Sequence, residues 1–136
     1  MIYCVTLNPA LDQIIEVEDK IHPGNNNLIR KSTIDVGGKG THVSIALSLL
    51  EEKSVCTGIS GEIYYNELQD NLKEFGVEGD FVTIHNQAVR KNLILIDESD
   101  QSSLLLTEKG HPITEFQVDQ LFNEKLSYLI LAKMIL

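Results

Sequence analysis

The sequence predicts an α/β fold in which buried strands and amphipathic helices alternate along the chain. Short apolar runs of strand length, such as 2–7 and 55–60, indicate strands buried on both faces, as in a parallel sheet. Apolar residues recur at helical spacing between these runs. Two further stretches, 12–36 and 88–107, have the pattern of β-hairpins and interrupt the alternation. The sequence therefore predicts a layered α/β domain with a small second sheet.

The first predicted helix follows a glycine-rich segment, 37–40. Its apolar residues recur at i, i+3, i+4 and i+7, which is the spacing of one helix face. We expect that face to pack on the core, and it comprises Val43, Ala46, Leu47 and Leu50.

Two more helices and two more strands complete the predicted order. The second helix should end near Gly76, and its apolar face comprises Tyr64, Leu68, Leu72 and Phe75. The third helix should begin at Thr114, which forms a capping-box pattern with Gln117. Residues 81–84 and 128–132 are the remaining strand candidates, because both are apolar runs of strand length.

Both hairpin regions contain a polar turn between extended stretches. The turns are Pro-Gly-Asn-Asn-Asn at 23–27 and Asp-Glu-Ser-Asp-Gln at 97–101. A small sheet outside the core should have one polar face, yet residues 93–96 are consecutive apolar residues. We interpret the second apolar face as a cover over a ligand or a contact with a partner chain. The alternative is that this sheet lies on the main core.

The charge of the chain restricts its partners. Its 136 residues carry a formal net charge of −9, with 43% hydrophobic residues. Binding to a nucleic-acid backbone requires a surplus of Lys and Arg, so nucleic acid is excluded as a partner. An anionic small ligand would require a local basic pocket on this acidic body.

The cysteines and the apolar runs indicate a cytoplasmic protein. Cys4 and Cys56 both lie in apolar runs, so we interpret them as reduced core residues. The sequence shows neither a Cys/His metal-binding spacing nor a signal peptide. The apolar run at 128–132 is far shorter than the roughly 20 residues of a membrane helix, which predicts no membrane association.

The glycine-rich segment 37–40, Gly-Gly-Lys-Gly, is the first candidate binding motif. Adjacent glycines allow a tight turn and close approach to a ligand, and the following helix start presents unpaired N–H groups to anions. The segment is neither a Walker A loop, because Thr33 stands at the first glycine position, nor a dinucleotide fingerprint, because Val43 stands at the third. The alternative is an ordinary helix start.

Two further segments carry polar side chains next to strands. Asp12 follows a strand end, where a carboxylate can accept two hydrogen bonds from a diol; the alternative is a turn-capping Asp. Arg90 and Lys91 precede Asn92 at a strand edge, and the planar fork of Arg suits a phosphate. The alternative for this second segment is a solvated basic patch.

Taken together, these motifs closely resemble the ribokinase-like carbohydrate kinases of the phosphofructokinase B type. The resemblance rests on Thr-Leu-Asn-Pro-Ala-x-Asp at 6–12, Gly-Gly-Lys-Gly at 37–40, Thr-Gly-Ile-Ser-Gly at 57–61 and Arg-x-Asn at 90–92. It covers the chain from 1 to about 128 and is nearest to the 1-phosphofructokinase and tagatose-6-phosphate kinase branches. The adenosine-kinase branch, which binds nucleosides, fits these motifs less well.

The resemblance implies a ribokinase-like layered domain whose small β-sheet is a lid, formed by hairpins at about 12–36 and 88–107, over a phosphorylated sugar. Asp12 would hydrogen-bond sugar hydroxyls, and Arg90 would hold the existing phosphate. The full set of implied substrate-binding residues is Asp12, Gly38, Lys39, Gly40, His42, Arg90 and Asn92.

The reaction implied by the resemblance moves the γ-phosphoryl group of ATP, with Mg²⁺, onto a hydroxyl of fructose 1-phosphate or a related hexose phosphate. The enzyme class is a phosphotransferase with an alcohol group as acceptor. In many members the lids of two subunits pack together, so a homodimer through the lid is implied as well.

The chain also departs from the family pattern. The family usually has Asn at the position of His42 and a cation at the position of Leu28. The Gly-Ala-Gly-Asp segment that carries the catalytic Asp of the family is absent, as is the ATP-binding part near it. We therefore expect residues 1–136 to be an incomplete kinase domain that is inactive alone, self-associating or marginally stable, and to hold no catalytic residue or metal site. The alternative function is a non-catalytic fragment that binds sugar phosphate or interacts with another protein.

Overall fold

The computed structural model describes residues 1–127, which form seven strands and three helices. The strands are β1 (Ile2–Thr6), β2 (Ala10–Val17), β3 (Ile29–Gly37), β4 (Ser54–Ile63), β5 (Glu78–Ala88), β6 (Arg90–Asp97) and β7 (Ser103–Thr107). The helices are α1 (Lys39–Leu49), α2 (Tyr65–Glu74) and α3 (Glu115–Lys125). The predicted α/β class is confirmed, and the strand predicted at 128–132 lies outside the described residues.

The first sheet has the order β1-β4-β5, with all strands parallel. Neighbouring residues of β5 point to opposite faces of this sheet, and they join two different core clusters. Phe81 packs in a cluster with Leu68 of α2 and Ile45 of α1, whereas Val82 packs in a second cluster with Leu121 of α3. The sheet is therefore a middle layer with α1 and α2 on one face and α3 on the other.

The second sheet has the order β3-β2-β6-β7. Both predicted hairpins are present in it, as the antiparallel pairs β2–β3 and β6–β7, and β2 and β6 run parallel side by side. The parallel register places Asp12 opposite Asn92 and Ala10 opposite Arg90. This register brings residues from distant segments of the sequence to one end of the two central strands.

Helix α1 is correctly predicted, but its buried face is not the predicted one. Val43 is 52% exposed and Leu50 is 73% exposed, whereas Thr41 and Ser44 are fully buried. The reason is the close approach of the helix start to β1, since a Cβ on Gly40 would lie 2.4 Å from the carbonyl oxygen of Val5. At this distance only small side chains fit between the helix and the sheet.

The prediction that β1 is buried on both faces is also wrong for the described residues. Ile2 is 42% exposed and Val5 is 44% exposed. Among residues 1–127, β1 is the edge strand of the first sheet, and α3 packs mainly on β4 and β5. The apolar run therefore specifies a strand, but it does not specify which neighbours cover it.

Helix α2 ends near Gly76 as predicted, but only Leu68 and Leu72 of its predicted apolar face are buried, whereas Tyr64 is 48% exposed and Phe75 is 38% exposed.

The capping box and the cysteines agree with their predictions. Thr114 and Gln117 form both hydrogen bonds of the capping box at the start of α3. Cys4 and Cys56 are buried free thiols, and burial raises the pKa of Cys56, offset in part by hydrogen bonds with Thr41 and Ser44. Among residues 1–127, no helix is long and apolar enough to cross a membrane.

Candidate functional site

A cavity of about 460 Å³ lies where the end of β1, the start of α1 and the start of β6 meet. Five of the seven residues predicted to bind substrate line it: Gly38, Lys39, Gly40, His42 and Arg90. The other lining residues are Val5, Thr6, Leu7 and Asn8. The structure thus brings the glycine-rich segment and the basic strand edge to one place.

The turn into α1 requires glycine at position 38. Gly38 has a φ of 123°, in the left-handed region, and a Cβ there would lie 2.8 Å from Thr6 Oγ1 and 2.9 Å from Thr41 Oγ1. Gly38 therefore lets the chain turn tightly against β1 and begin the helix at Lys39. The first N–H groups of α1 are thereby placed at the cavity, where they can meet a polar or anionic group.

Arg90 supplies a partly buried cation. Its Nη2 donates a hydrogen bond to the backbone carbonyl of Asn8, over 3.2 Å. Its Nε is buried and has no hydrogen-bond partner among residues 1–127. An unpaired buried N–H of a charged group is costly, so a ligand that accepts from it would be stabilised.

His42 also reaches a backbone carbonyl at this site. Its Nε2 lies 3.0 Å from the carbonyl oxygen of Val36. Because a carbonyl can only accept, Nε2 must carry the proton, which leaves Nδ1 as an acceptor in the neutral ring. The kinases that the sequence resembles usually have Asn at this position, and an amide carries both a donor and an acceptor. The neutral ring of His42 offers the cavity only the acceptor Nδ1.

The charge of the cavity is opposite to that of the whole chain. Lys39, His42 and Arg90 line it, and none of its lining residues among those described is acidic. The chain as a whole has a net charge of −9. The cavity is therefore a local basic pocket on an acidic body, which favours an anionic ligand.

Asp12 and Asn92 do not line this cavity but form a pair next to it. Asp12 Oδ1 accepts a hydrogen bond of 2.6 Å from Asn92 Nδ2. Both carboxylate oxygens are close to Gly37, since a Cβ on that glycine would lie 2.6 Å from Asp12 Oδ2 and 2.8 Å from Oδ1. Gly37 directly precedes the cavity residue Gly38, so the carboxylate lies at the border of the pocket.

Asn8 is a site residue that the sequence did not single out. Its carbonyl holds Arg90, and its side chain lies against Gly110, where a Cβ would be 2.0 Å from Asn8 Nδ2. Gly110 has a φ of 74°, which also favours glycine. The Asn-Pro pair at 8–9 signalled a turn, but only the folded chain shows that this turn meets Arg90 and residue 110.

A phosphoryl-transfer site would also hold a metal ion and a nucleotide. Within residues 1–127, no group of three or more His, Cys, Asp or Glu side chains could bind a metal ion. The described residues that line the cavity can bind and orient an anion.

Sequence comparison relates the chain to a set of kinases. No family model matches the sequence. Over 115 residues the chain is 31% identical to 1-phosphofructokinase of Vibrio cholerae, covering 85% of this chain and 35% of that protein. It is 27% identical over 121 residues to 1-phosphofructokinase of Haloferax volcanii, covering 89% and 39%. This chain matches the N-terminal part of carbohydrate kinases of the phosphofructokinase B type.

Solved phosphofructokinase structures share the fold. A possible 1-phosphofructokinase of Thermotoga maritima superposes with a TM-score of 0.79 at 31% identity, over 91% of this chain and 40% of that one. Escherichia coli phosphofructokinase-2 in complex with fructose-6-phosphate superposes with a TM-score of 0.81 at 23% identity, over 93% and 41%, and supports the fold alone. The predicted ribokinase-like layered fold is thereby confirmed.

The chain spans about two fifths of the length of these phosphofructokinases. Its curated relatives are named for a phosphotransferase reaction with an alcohol acceptor.

Proposed function

We propose that residues 1–136 carry the sugar-phosphate site of a kinase of the 1-phosphofructokinase type. The reaction proposed for the whole kinase transfers the γ-phosphoryl group of ATP, with Mg²⁺, to a hydroxyl of fructose 1-phosphate or a related hexose phosphate. A cytoplasmic location is part of the proposal, and the two buried free thiols support it.

The basic cavity is the observation that carries this proposal. Arg90 has a buried Nε without a partner among the described residues, and Lys39 lines the same space. A phosphate group offers several acceptor oxygens and negative charge, so it satisfies the donors of Arg90 and Lys39 better than a neutral ligand does. Phosphorylated ligands are therefore preferred over free sugars in the proposal.

The neighbouring residues supply contacts for the sugar. The N–H groups at the start of α1, after Gly38, can donate to hydroxyl or phosphate oxygens. The carboxylate of Asp12 can accept hydrogen bonds from hydroxyl groups. The hydroxyls and the phosphate would then be held from two sides, which orients the ligand for reaction.

Binding alone, without catalysis, is the second candidate function. The described residues of the cavity fit an anion and a sugar, and no cluster of side chains within residues 1–127 could bind a metal ion. Phosphoryl transfer depends on metal and charge stabilisation. In both candidates the same cavity binds the same ligand, and they differ only in whether these 136 residues transfer a phosphoryl group.

Calorimetric titration of the 136-residue chain tests the proposal. We expect fructose 1-phosphate, fructose 6-phosphate or tagatose 6-phosphate to bind more tightly than unphosphorylated fructose, because only the phosphates meet Arg90 and Lys39. A chain that binds none of the three phosphates, while remaining folded by circular dichroism, would exclude both candidate functions. An assay with ATP and Mg²⁺ then separates a kinase from a binding fragment.

A further inference from the structure

We propose that Asn92 is a positioning residue, which fixes the carboxylate of Asp12 for contact with the sugar rather than gripping the phosphate itself. The inference rests on the proposed function and assigns a specific task to one pair of residues in that site. Three observations support it: the register of the strands, the bonds at both ends of the Asn92 amide, and the free oxygen of Asp12.

The strand register places the two side chains together. Asp12 of β2 and Asn92 of β6 are direct partners across the parallel pair. The hydrogen bond from Asn92 Nδ2 to Asp12 Oδ1 is 2.6 Å long, and both side chains are partly buried. A bond from an amide to a charged carboxylate is among the stronger hydrogen bonds, so it holds the carboxylate in one orientation.

The amide of Asn92 is also fixed at its other end. Its Oδ1 accepts a hydrogen bond of 3.2 Å from the backbone N–H of Glu108, just after β7. The side chain of Glu108 in turn accepts from the backbone N–H of Lys91, over 2.9 Å. Because both ends of the amide are engaged, Asn92 cannot turn toward a ligand without breaking a bond.

The second oxygen of Asp12 remains available. Oδ2 accepts no hydrogen bond from any residue in 1–127, and it lies beside Gly37, which leads into the cavity. Asp35 on β3 is the cross-strand partner of Asp12, and its Oδ1 accepts a hydrogen bond from the backbone N–H of Val36. The donor on Asn92 engages only Oδ1 of Asp12, so Oδ2 is left to accept from hydroxyl groups.

Titrations of Asn92→Ala with two probes test this assignment. Inorganic phosphate reports on the basic groups, and fructose 1-phosphate reports on the sugar contacts as well. We expect the variant to bind inorganic phosphate like the original chain and to lose about 10- to 100-fold in affinity for fructose 1-phosphate, the effect of losing a hydrogen bond to a charged group. Asn71→Ala is the matched control, because Asn71 donates to the backbone carbonyl of Glu67 within α2 and does not line the cavity.

A double-mutant cycle with Asp12→Ala gives the second readout. If Asn92 acts through Asp12, then Asn92→Ala should cause little further loss of fructose 1-phosphate affinity once Asp12 is removed. Equal losses for both probes, or losses that add fully in the double variant, would overturn the assignment.

Asn92→Leu replaces this variant if Asn92→Ala does not fold. It keeps about the same size, adds no charge and removes the donor, and we expect the same selective loss. An Asn92→Leu chain that binds fructose 1-phosphate normally would overturn the inference and leave the proposed function intact. Failure of the unaltered chain to bind any sugar phosphate would overturn both.

Discussion

Arg90 has the clearest chemical task of any single residue in this chain. It is tied at one nitrogen to Asn8 while its Nε is buried without a partner among the described residues. Its position follows from the parallel pairing of β2 with β6, which sets it opposite Ala10. The register of these two strands therefore places the positive charge of Arg90 at the cavity.

Replacing Arg90 by alanine should weaken sugar-phosphate binding by about 10- to 100-fold, because a charge-assisted hydrogen bond to phosphate is lost. Isothermal titration with fructose 1-phosphate measures the change. Arg30→Ala is the matched control, because Arg30 pairs with Glu16 and Glu98 and lines none of the cavity described here. Equal effects of the two substitutions would contradict the role given to Arg90.

The site was only partly predictable at the scale of residues. The glycine-rich segment and Arg90 could be identified because their chemistry is visible in the sequence. The role of Asn8 could not, because it acts through a backbone carbonyl and any residue type carries one. The pairing of Asp12 with Asn92 beside the cavity could not be predicted either, because it depends on the register between β2 and β6.

At the scale of elements, the predictions succeeded where local chemistry decides the structure. The capping box defines the start of α3 through Thr114 and Gln117, which are neighbours in sequence. The buried face of α1 was predicted wrongly because it is chosen by contact with β1, where Gly40 and Thr41 allow close packing. Tertiary packing overrode the apolar periodicity of the helix.

A substitution at Gly58 tests how closely β1 lies against β4. It has a φ of 148°, and a Cβ there would lie 1.7 Å from the carbonyl oxygen of Thr6. We expect Gly58→Ala to lower the free energy of unfolding by about 3 kcal/mol or more, because backbone must move. Urea denaturation measures the change.

Gly24→Ala is the control for this substitution. Gly24 has a φ of 83° but no heavy atom within 4 Å of the added Cβ, so only backbone strain of about 1–2 kcal/mol is expected. A smaller loss for Gly58→Ala than for Gly24→Ala would contradict the packing described for β1 and β4.

The turn between β6 and β7 should make stability depend on pH. The pKa of Asp97 is lowered, chiefly by the hydroxyl of Ser99 and then by the backbone N–H of Ile21. A lowered folded pKa stabilises the folded state above the unfolded pKa of about 4, and this contribution is lost as pH falls through the folded value.

We therefore expect Asp97→Asn to flatten the loss of stability between about pH 5 and pH 2, relative to the original chain. Urea denaturation at a series of pH values measures this slope. Asp119→Asn, which removes a carboxylate at an exposed position on α3, is the control. An unchanged slope in Asp97→Asn would show that Asp97 does not carry this contribution.

At the scale of the whole molecule, exposed apolar residues lie on the outer strand of the second sheet. Leu104, Leu105 and Leu106 of β7 are 51%, 62% and 49% exposed. The predicted homodimer through this sheet remains a proposal, and this apolar edge supports it because such surfaces mark contacts between chains. The lid role of the same sheet is likewise a proposal.

Replacing Leu105 by lysine should shift a homodimer toward monomer by adding charge to the proposed contact. Sedimentation velocity measures the mass in solution. Leu49→Lys is the matched control, because Leu49 is 79% exposed at the end of α1, far along the chain from β7. A dimer that persists in Leu105→Lys but dissociates in Leu49→Lys would place the contact on α1 instead.

The central claim is that one basic cavity at the start of α1 binds a phosphorylated sugar. The most direct measurement is a titration of the ¹⁵N-labelled chain with fructose 1-phosphate, followed by backbone amide chemical shifts. We predict saturable shifts concentrated at Gly38, Lys39, Gly40 and Arg90, with unphosphorylated fructose causing much smaller ones. Saturable shifts elsewhere, with these four amides unmoved, would contradict the claim.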